Sequence, residues 1–194
     1  MTCNAGGYCV IIVWIIVTKC VYRTGYGALL TMKTLRILGV DPGYAIVGFG
    51  VLDYDGVQFT PIEYGAVTTE KDVPFAERLL IIHRDIEFIF DRFKPDCMAI
   101  ERLYFATNHK TAIDVAQARG VTVLSAAKRS IPIAEYTPLQ VKQSVVGYGK
   151  AEKKQVMEMT RNILRLAQIP KPDDAADALA IAICHGHSSR YQLR

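Results

Sequence analysis

Leu35-Arg36-Ile37-Leu38-Gly39-Val40-Asp41-Pro42-Gly43 is an apolar run that stops at an acid and then turns. Without helical spacing, and closed by Asp-Pro-Gly, it reads as a buried strand whose last residue sits at the rim of a sheet. Working outward, Val47 to Leu52 alternates with small residues, and Val57 to Val67 returns after Tyr54-Asp55-Gly56, a hairpin signal. Phe75, Leu79, Ile82, Ile86, Ile89 and Phe93 recur at spacings of four and three, which predicts one long amphipathic helix ended by Lys94-Pro95-Asp96. Cys97 to Glu101 repeats the opening pattern, a strand closed by an acid. A second helix is expected from about 108 to 129. Its small residues (Ala112, Ala116, Ala118, Gly120, Ala126, Ala127) suit close packing either on the sheet or on a second subunit. Ile131 to Tyr136 is the last strand, and Thr137-Pro138 supplies a cap and first turn for a short helix. Gly147-Tyr148-Gly149-Lys150 is a loop. Helices at about 152–167 and 173–187 follow, split by Pro170-Lys171-Pro172. An antiparallel trio joined to parallel strands through crossover helices is an α/β architecture, a mixed five-stranded sheet flanked by helices.

Within that frame four carboxylates stand out. Asp41 and Glu101 each close an apolar strand, and Asp174 and Asp177 open the apolar helical run Ala178 to Ile183. Three residues apart, the last two share a helix face. Capping is a second account of Asp173 and Asp174, since Asp is favoured at a helix start. Read alone, Asp41 suits a turn and Glu101 a strand-end pair with Arg102; the joint occurrence carries the signal. Acids gathered at a sheet rim raise one another's pKa unless a cation sits between them. Hard oxygen ligands of this kind suit Mg²⁺ or Mn²⁺, so the reading is a metal-dependent site acting on phosphate.

The 194 residues fit one domain, with no internal repeat or linker, and a net charge of only +4 gives no whole-molecule basic field. Charge is local. Lys142, Lys150, Lys153, Lys154, Arg161, Arg165 and Lys171 face only Glu152 and Glu158 in the same segment, which fits a polyanionic substrate or a solvated helix face. Cys3, Cys9, Cys20, Cys97 and Cys184 show neither disulfide nor metal spacing, so a reducing cytoplasm is expected. His185-Gly186-His187 reads as incidental rather than metal-binding. The apolar run Cys9 to Val17 is too short to span a bilayer, and Met32 stands just before the first strand. Residues 1–31 are therefore expected to be an extension outside a core domain at 32–194; a membrane-associating tail is the competing account.

From about residue 35 to 187 the chain resembles the RuvC-type crossover junction endodeoxyribonucleases, Holliday junction resolvases with an RNase H-like fold. The resemblance rests on Ile37 to Gly43 with Gly48-Phe49-Gly50, Ala99-Ile100-Glu101 followed by aromatics, and Gln117-Ala118-Arg119-Gly120. It continues through Tyr136 to Lys153 and ends with Asp174-Ala175-Ala176-Asp177-Ala178-Leu179-Ala180. It implies that Asp41, Glu101, Asp174 and Asp177 are catalytic and bind metal, two ions of Mg²⁺ (or Mn²⁺) per subunit. Some members carry His at the third position, and Asp174 is among the accepted types. Tyr104, with Phe105 beside it, falls at the aromatic position that inserts at the junction centre, where Phe is frequent in the family. Lys142 and Lys153 match DNA-contacting positions, with Lys150 and Lys154 beside them in the basic segment.

The resemblance further implies paired symmetric nicks in four-way DNA, leaving 5′-phosphate and 3′-hydroxyl ends, in DNA recombination and repair. It implies the RuvA–RuvB branch-migration complex as partner; the two opposed cuts that a nearly two-fold symmetric junction needs point to a homodimer, and no membrane association is expected. The loops at 102–108 and 147–151 are expected to recognise the branch. A nuclease acting on other branched DNA or RNA–DNA hybrids is the main alternative. An actin-like or sugar-kinase ATPase would need a second lobe, and a junction binder without cleavage would lack one of the four acids.

Overall fold

The computed structural model describes residues 34–103 and 109–189, with nothing to be said of the side chains of 109–111. The extension at 1–31, and Tyr104 and Phe105, lie outside the described residues. The elements run β1 (Leu35–Asp41), β2 (Ile46–Tyr54), β3 (Phe59–Thr68), α1 (Phe75–Phe93) and β4 (Cys97–Glu101). They continue with α2 (His109–Lys128), β5 (Ile133–Tyr136), α3 (Pro138–Val146), α4 (Lys153–Ile163) and α5 (Asp173–Ser189). The sheet has the order β3-β2-β1-β4-β5, antiparallel from β3 to β1 and parallel from β1 to β5. This is the mixed five-stranded sheet expected.

Element ends moved for identifiable reasons. The third strand starts at Phe59 rather than Val57 because Asp55 Oδ1 accepts from the backbone N–H groups of Val57 (2.8 Å) and Gln58 (2.7 Å). This side-chain turn takes both residues out of the ladder. The last strand starts at Ile133 because the Ile131 N–H still donates to Ala126 O, closing the end of α2. α4 ends at Ile163, short of 167, where Arg165 is left-handed (φ 54°) and the Leu166 N–H donates to Arg161 O. Thr137 caps α3 as expected, in a reciprocal box with Gln140.

Strand alternation divides the core into two layers. Ile37, Cys97 and Ala99 face α5 with α3 and α4, whereas Leu38, Val40, Met98 and Ile100 face α1 and α2. The small residues of α2 separate by face. Ala118 and Ala126 are buried in the second layer, while Ala116, Gly120 and Ala127 are exposed together with Ile113 and Leu124. Spacings of three and four along that series put them on one outer stripe.

Candidate active site

The site follows from register. β1 and β4 are parallel neighbours, with Gly39 opposite Ala99 and Val40 opposite Ile100, so the next residues, Asp41 and Glu101, end adjacent strands side by side. Two-residue periodicity turns both toward the α5 layer, in step with Gly39 and Ala99.

Glycines bring α5 down onto that rim. An added Cβ at Gly39 would lie 2.1 Å from Ala178 O, at Gly48 2.0 Å from Asp174 O, and at Gly50 2.7 Å from a Leu179 methyl carbon. Gly39 pairs with Gly50, and Asp41 with Gly48, across β1 and β2. The sheet therefore carries no side chains at these three positions under α5, and the start of α5 arrives beside the end of β1. Gly48-Phe49-Gly50 is a packing device that the sequence displayed without its reason. On the other side, Tyr44 is held by Arg78, a buried guanidinium (4 % exposed) with no carboxylate partner among the described residues. Arg78 stacks over the Tyr44 ring, 3.5 Å from its centroid, and donates to Tyr44 Oη and to Thr69 Oγ1 (2.8 Å). This fastens the loop after Asp41, and nothing in the spacing of these residues announced it.

A cleft of about 270 Å³ opens over the rim, lined by Asp41, Glu101, Asp177, Lys142 and Lys153 with Pro138, Val141, Val156, Ala180 and Ile181. Asp174 is not among its walls, although its charge reaches Asp41. Burial, then Glu101, Asp177 and Asp174, push the Asp41 carboxyl up to about 7, with Lys153 pulling the other way. Burial and then Asp177 raise Glu101, against Lys142 and Lys153. Arg102 does not neutralise Glu101. It pairs with Glu135 (3.3 Å), and Arg119 reaches Glu135 (2.5 Å) and the Glu101 carbonyl (3.2 Å). Glu101 is thus left to the cleft.

Lys153 occupies a position that its sequence did not foretell. Its Nζ lies 2.8 Å from Asp177 Oδ2, and the hydrogen bond raises the lysine pKa. It belongs to the acid cluster as well as to the basic segment. Lys150 and Lys154 are exposed and do not line the cleft. The basic tally is smaller than its sequence count, since Lys171 pairs with Asp173 (2.7 Å) and Arg161 with Glu158 (3.3 Å). Asp173 is thereby engaged at the surface and not in the site. His185 and His187 are engaged with Tyr136 Oη (2.8 Å) and Ser144 (3.2 Å), in line with their structural reading.

Among the described residues no three Asp, Glu, His or Cys side chains already form a closed metal cage. The donor set is nonetheless all carboxylate oxygen, with Asp41 carrying charge at a cost that a cation would remove. The Lys153 ammonium among these acids is the same electrostatic demand met by a side chain.

The comparisons with known proteins agree with this geometry. The family model described as crossover junction endodeoxyribonuclease RuvC matches residues 37–185. Curated proteins of that name from Ruminiclostridium cellulolyticum and Alkaliphilus oremlandii are 56 % and 53 % identical. The alignments cover 79 % and 80 % of this chain and 93 % and 94 % of theirs. The solved Thermus thermophilus RuvC structure superposes with a TM-score of 0.76 at 34 % identity, covering 81 % of this chain and 97 % of that one. The T. thermophilus RuvC complex with Holliday junction substrate gives 0.74 at 32 %, over 81 % and 96 %. The fold is the RNase H-like one expected.

Proposed function

The chain belongs to the RuvC family of crossover junction endodeoxyribonucleases, and on that premise we propose that it resolves four-way DNA junctions by paired symmetric nicks. The observation that carries the proposal is the meeting of Asp41, Glu101 and Asp177 with Lys142 and Lys153 in one cleft. It supports phosphodiester hydrolysis that leaves 5′-phosphate and 3′-hydroxyl ends.

Asp41, Glu101, Asp174 and Asp177 would hold Mg²⁺ (or Mn²⁺), two ions per subunit, as the catalytic acids. Such ions, when bound, supply an activated water and offset charge on the leaving 3′ oxygen. The residues themselves do the positioning. The two strand ends fix Asp41 and Glu101, while α5, seated on the glycine face, carries Asp174 and Asp177 to them. Lys142 and Lys153 draw the scissile phosphate into the cleft, and Lys150 and Lys154 bind backbone further out. Tyr104 or Phe105 stacks on bases unpaired at the branch.

A four-way junction is nearly two-fold symmetric, so two opposed cuts call for two sites, one per subunit of a homodimer. The outer stripe of α2 supports this, since Ile113 (65 %) and Leu124 (57 %) are exposed beside Ala116, Gly120 and Ala127, with Phe88 of α1 also exposed. The expected working partners are four-way DNA and a branch-migration complex of the RuvA–RuvB type, in the bacterial cytoplasm. Among the described residues no helix is long and apolar enough to cross a membrane. The test is a nicking assay in Mg²⁺ on a mobile four-way junction, with linear duplex and RNA–DNA hybrid in parallel. Junction-selective, ligatable, paired nicks are expected, and Glu101→Gln should slow them by several orders of magnitude while binding survives. Preferential cutting of the hybrid, or near-normal cutting by Glu101→Gln, would overturn the assignment.

A further inference from the structure

Beside the cleft lies an apolar rim that the acid site does not use. Tyr148 is 47 % exposed and Leu139 54 % exposed, and Tyr148 has no hydrogen-bond or ring partner among the described residues. The two belong to one surface. Gly147, left-handed at φ 93°, ends α3 with its N–H donating to Gln143 O, which turns the chain back along the helix. Gly149 then presses so closely on the first turn of α3 that an added Cβ would lie 2.2 Å from Leu139 Cδ1. Ala151, 1 % exposed, anchors the far end of the loop in the core. The loop is therefore held at both ends and in its middle, and Tyr148 is displayed by a fixed support.

This rim is continuous with the cleft. Pro138, Val141 and Lys142 of α3 are cleft walls, and Leu139 lies about 100° round the same helix from Pro138, on the face adjoining that of Lys142. Lys150 is exposed two residues beyond Tyr148 and Lys153 lies inside the cleft. An exposed aromatic and an exposed leucine bracketed by lysines suit a ligand that is anionic along one edge and flat and apolar beside it. A nucleotide has that composition, a phosphate flanked by a deoxyribose and a base face. A nucleotide meets both features at once, whereas a contact between two copies would desolvate Lys142 and Lys150 unless acids of the other copy faced them.

We propose that Leu139 and Tyr148 pack against the sugar and base of the nucleotide next to the scissile phosphate, and that Tyr148 thereby weights which flanking bases are cut. The inference rests on the junction-cleaving reading of the same site. In linear duplex the base faces are stacked on their neighbours and closed to a side chain; next to a branch they are not. Tyr148 then contributes where a base can leave its stack, and stacking strength differs between purines and pyrimidines.

The experiment mixes the full chain in Mg²⁺ with four-way junctions that differ only in the nucleotide flanking the cut, one of them 2-aminopurine. It records single-turnover cleavage and, by stopped flow, fluorescence before cleavage. Wild type should quench the probe. Tyr148→Ala should lose the quench, slow cleavage about tenfold to a hundredfold, and compress the spread of rates across flanking bases. Tyr148→Phe should keep all three properties. Lys150→Ala should weaken binding in a salt-dependent way and leave the quench. Wild-type-like rates and quench in Tyr148→Ala overturn the inference. So does an equal slowing on every flanking base with the quench intact, which makes the residue a loop support. Loss of the dimer in sedimentation with DNA behaviour unchanged makes the rim an interface between copies instead. If wild type itself leaves junctions intact, the junction reading falls, and this inference with it.

Discussion

Asp41→Asn should make the metal-free protein more stable while abolishing its chemistry. In the folded chain burial and three neighbouring acids push this carboxyl from 3.8 up to about 7, whereas in the unfolded chain it titrates normally. Between about pH 4 and pH 7 the folded state therefore holds a proton that the unfolded state has released. A state that binds more protons is weakened as pH rises, so stability falls across this window and stays lowered above it. At about 1.4 kcal/mol per pKa unit the full penalty at pH 8 is on the order of 4 kcal/mol, and water entering the open cleft reduces it to about 2 kcal/mol. The substituted amide keeps the shape of the carboxylate and carries no charge. Urea denaturation in chelator at pH 4 and pH 8 should show the variant equal to wild type at the lower pH and about 2 kcal/mol more stable at the higher. Millimolar Mg²⁺ or Mn²⁺ should then raise wild type and leave the variant unchanged, as expected for a ligand of the native state alone. A variant less stable than wild type at pH 8, or an advantage of the same size at both pH values, would refute mutual repulsion as the property of this cluster.

Gly48→Ala drives a methyl group into the backbone of Asp174, and should cost about 1–3 kcal/mol by denaturation. Because it displaces the first turn of α5, it should also cut the junction-cleavage rate about a hundredfold under conditions where the protein remains folded. A rate loss confined to the unfolded fraction would separate α5 placement from catalysis. Lys153→Ala should reduce the slope of log binding constant against log salt by about 1, the loss of one phosphate contact; an unchanged slope would confine this lysine to its pair with Asp177. A chain shortened to start at Met32 should remain folded, dimeric in sedimentation and able to make paired cuts; a monomer that nicks one strand at a time would show that residues 1–31 belong to the working unit.

Elements whose evidence is local were legible in the sequence alone. The 3.6-residue spacing of Ile82, Ile86 and Ile89 became α1, and Thr137-Pro138 became the capped start of α3, because each depends on residues within a turn of one another. Asp41 and Glu101 were legible for the same reason, since an acid ending an apolar strand has little choice but the rim. What the sequence could not decide is which distant groups meet, because contacts between elements depend on register and packing and leave no periodic trace. Asp174 and Asp177 both open the same apolar run, yet Asp177 walls the cleft and Asp174 does not. Lys153, one cation in a basic segment, is drawn into the acids because α4 packs on α5. Gly39, Gly48 and Gly50 acquire a purpose only when α5 lies within 2.0 to 2.7 Å of where their side chains would begin. Residue types at strand and helix ends pointed to the chemistry; the close approach of α5 to the glycine face of the sheet, a property of no single segment, decided that those ends meet.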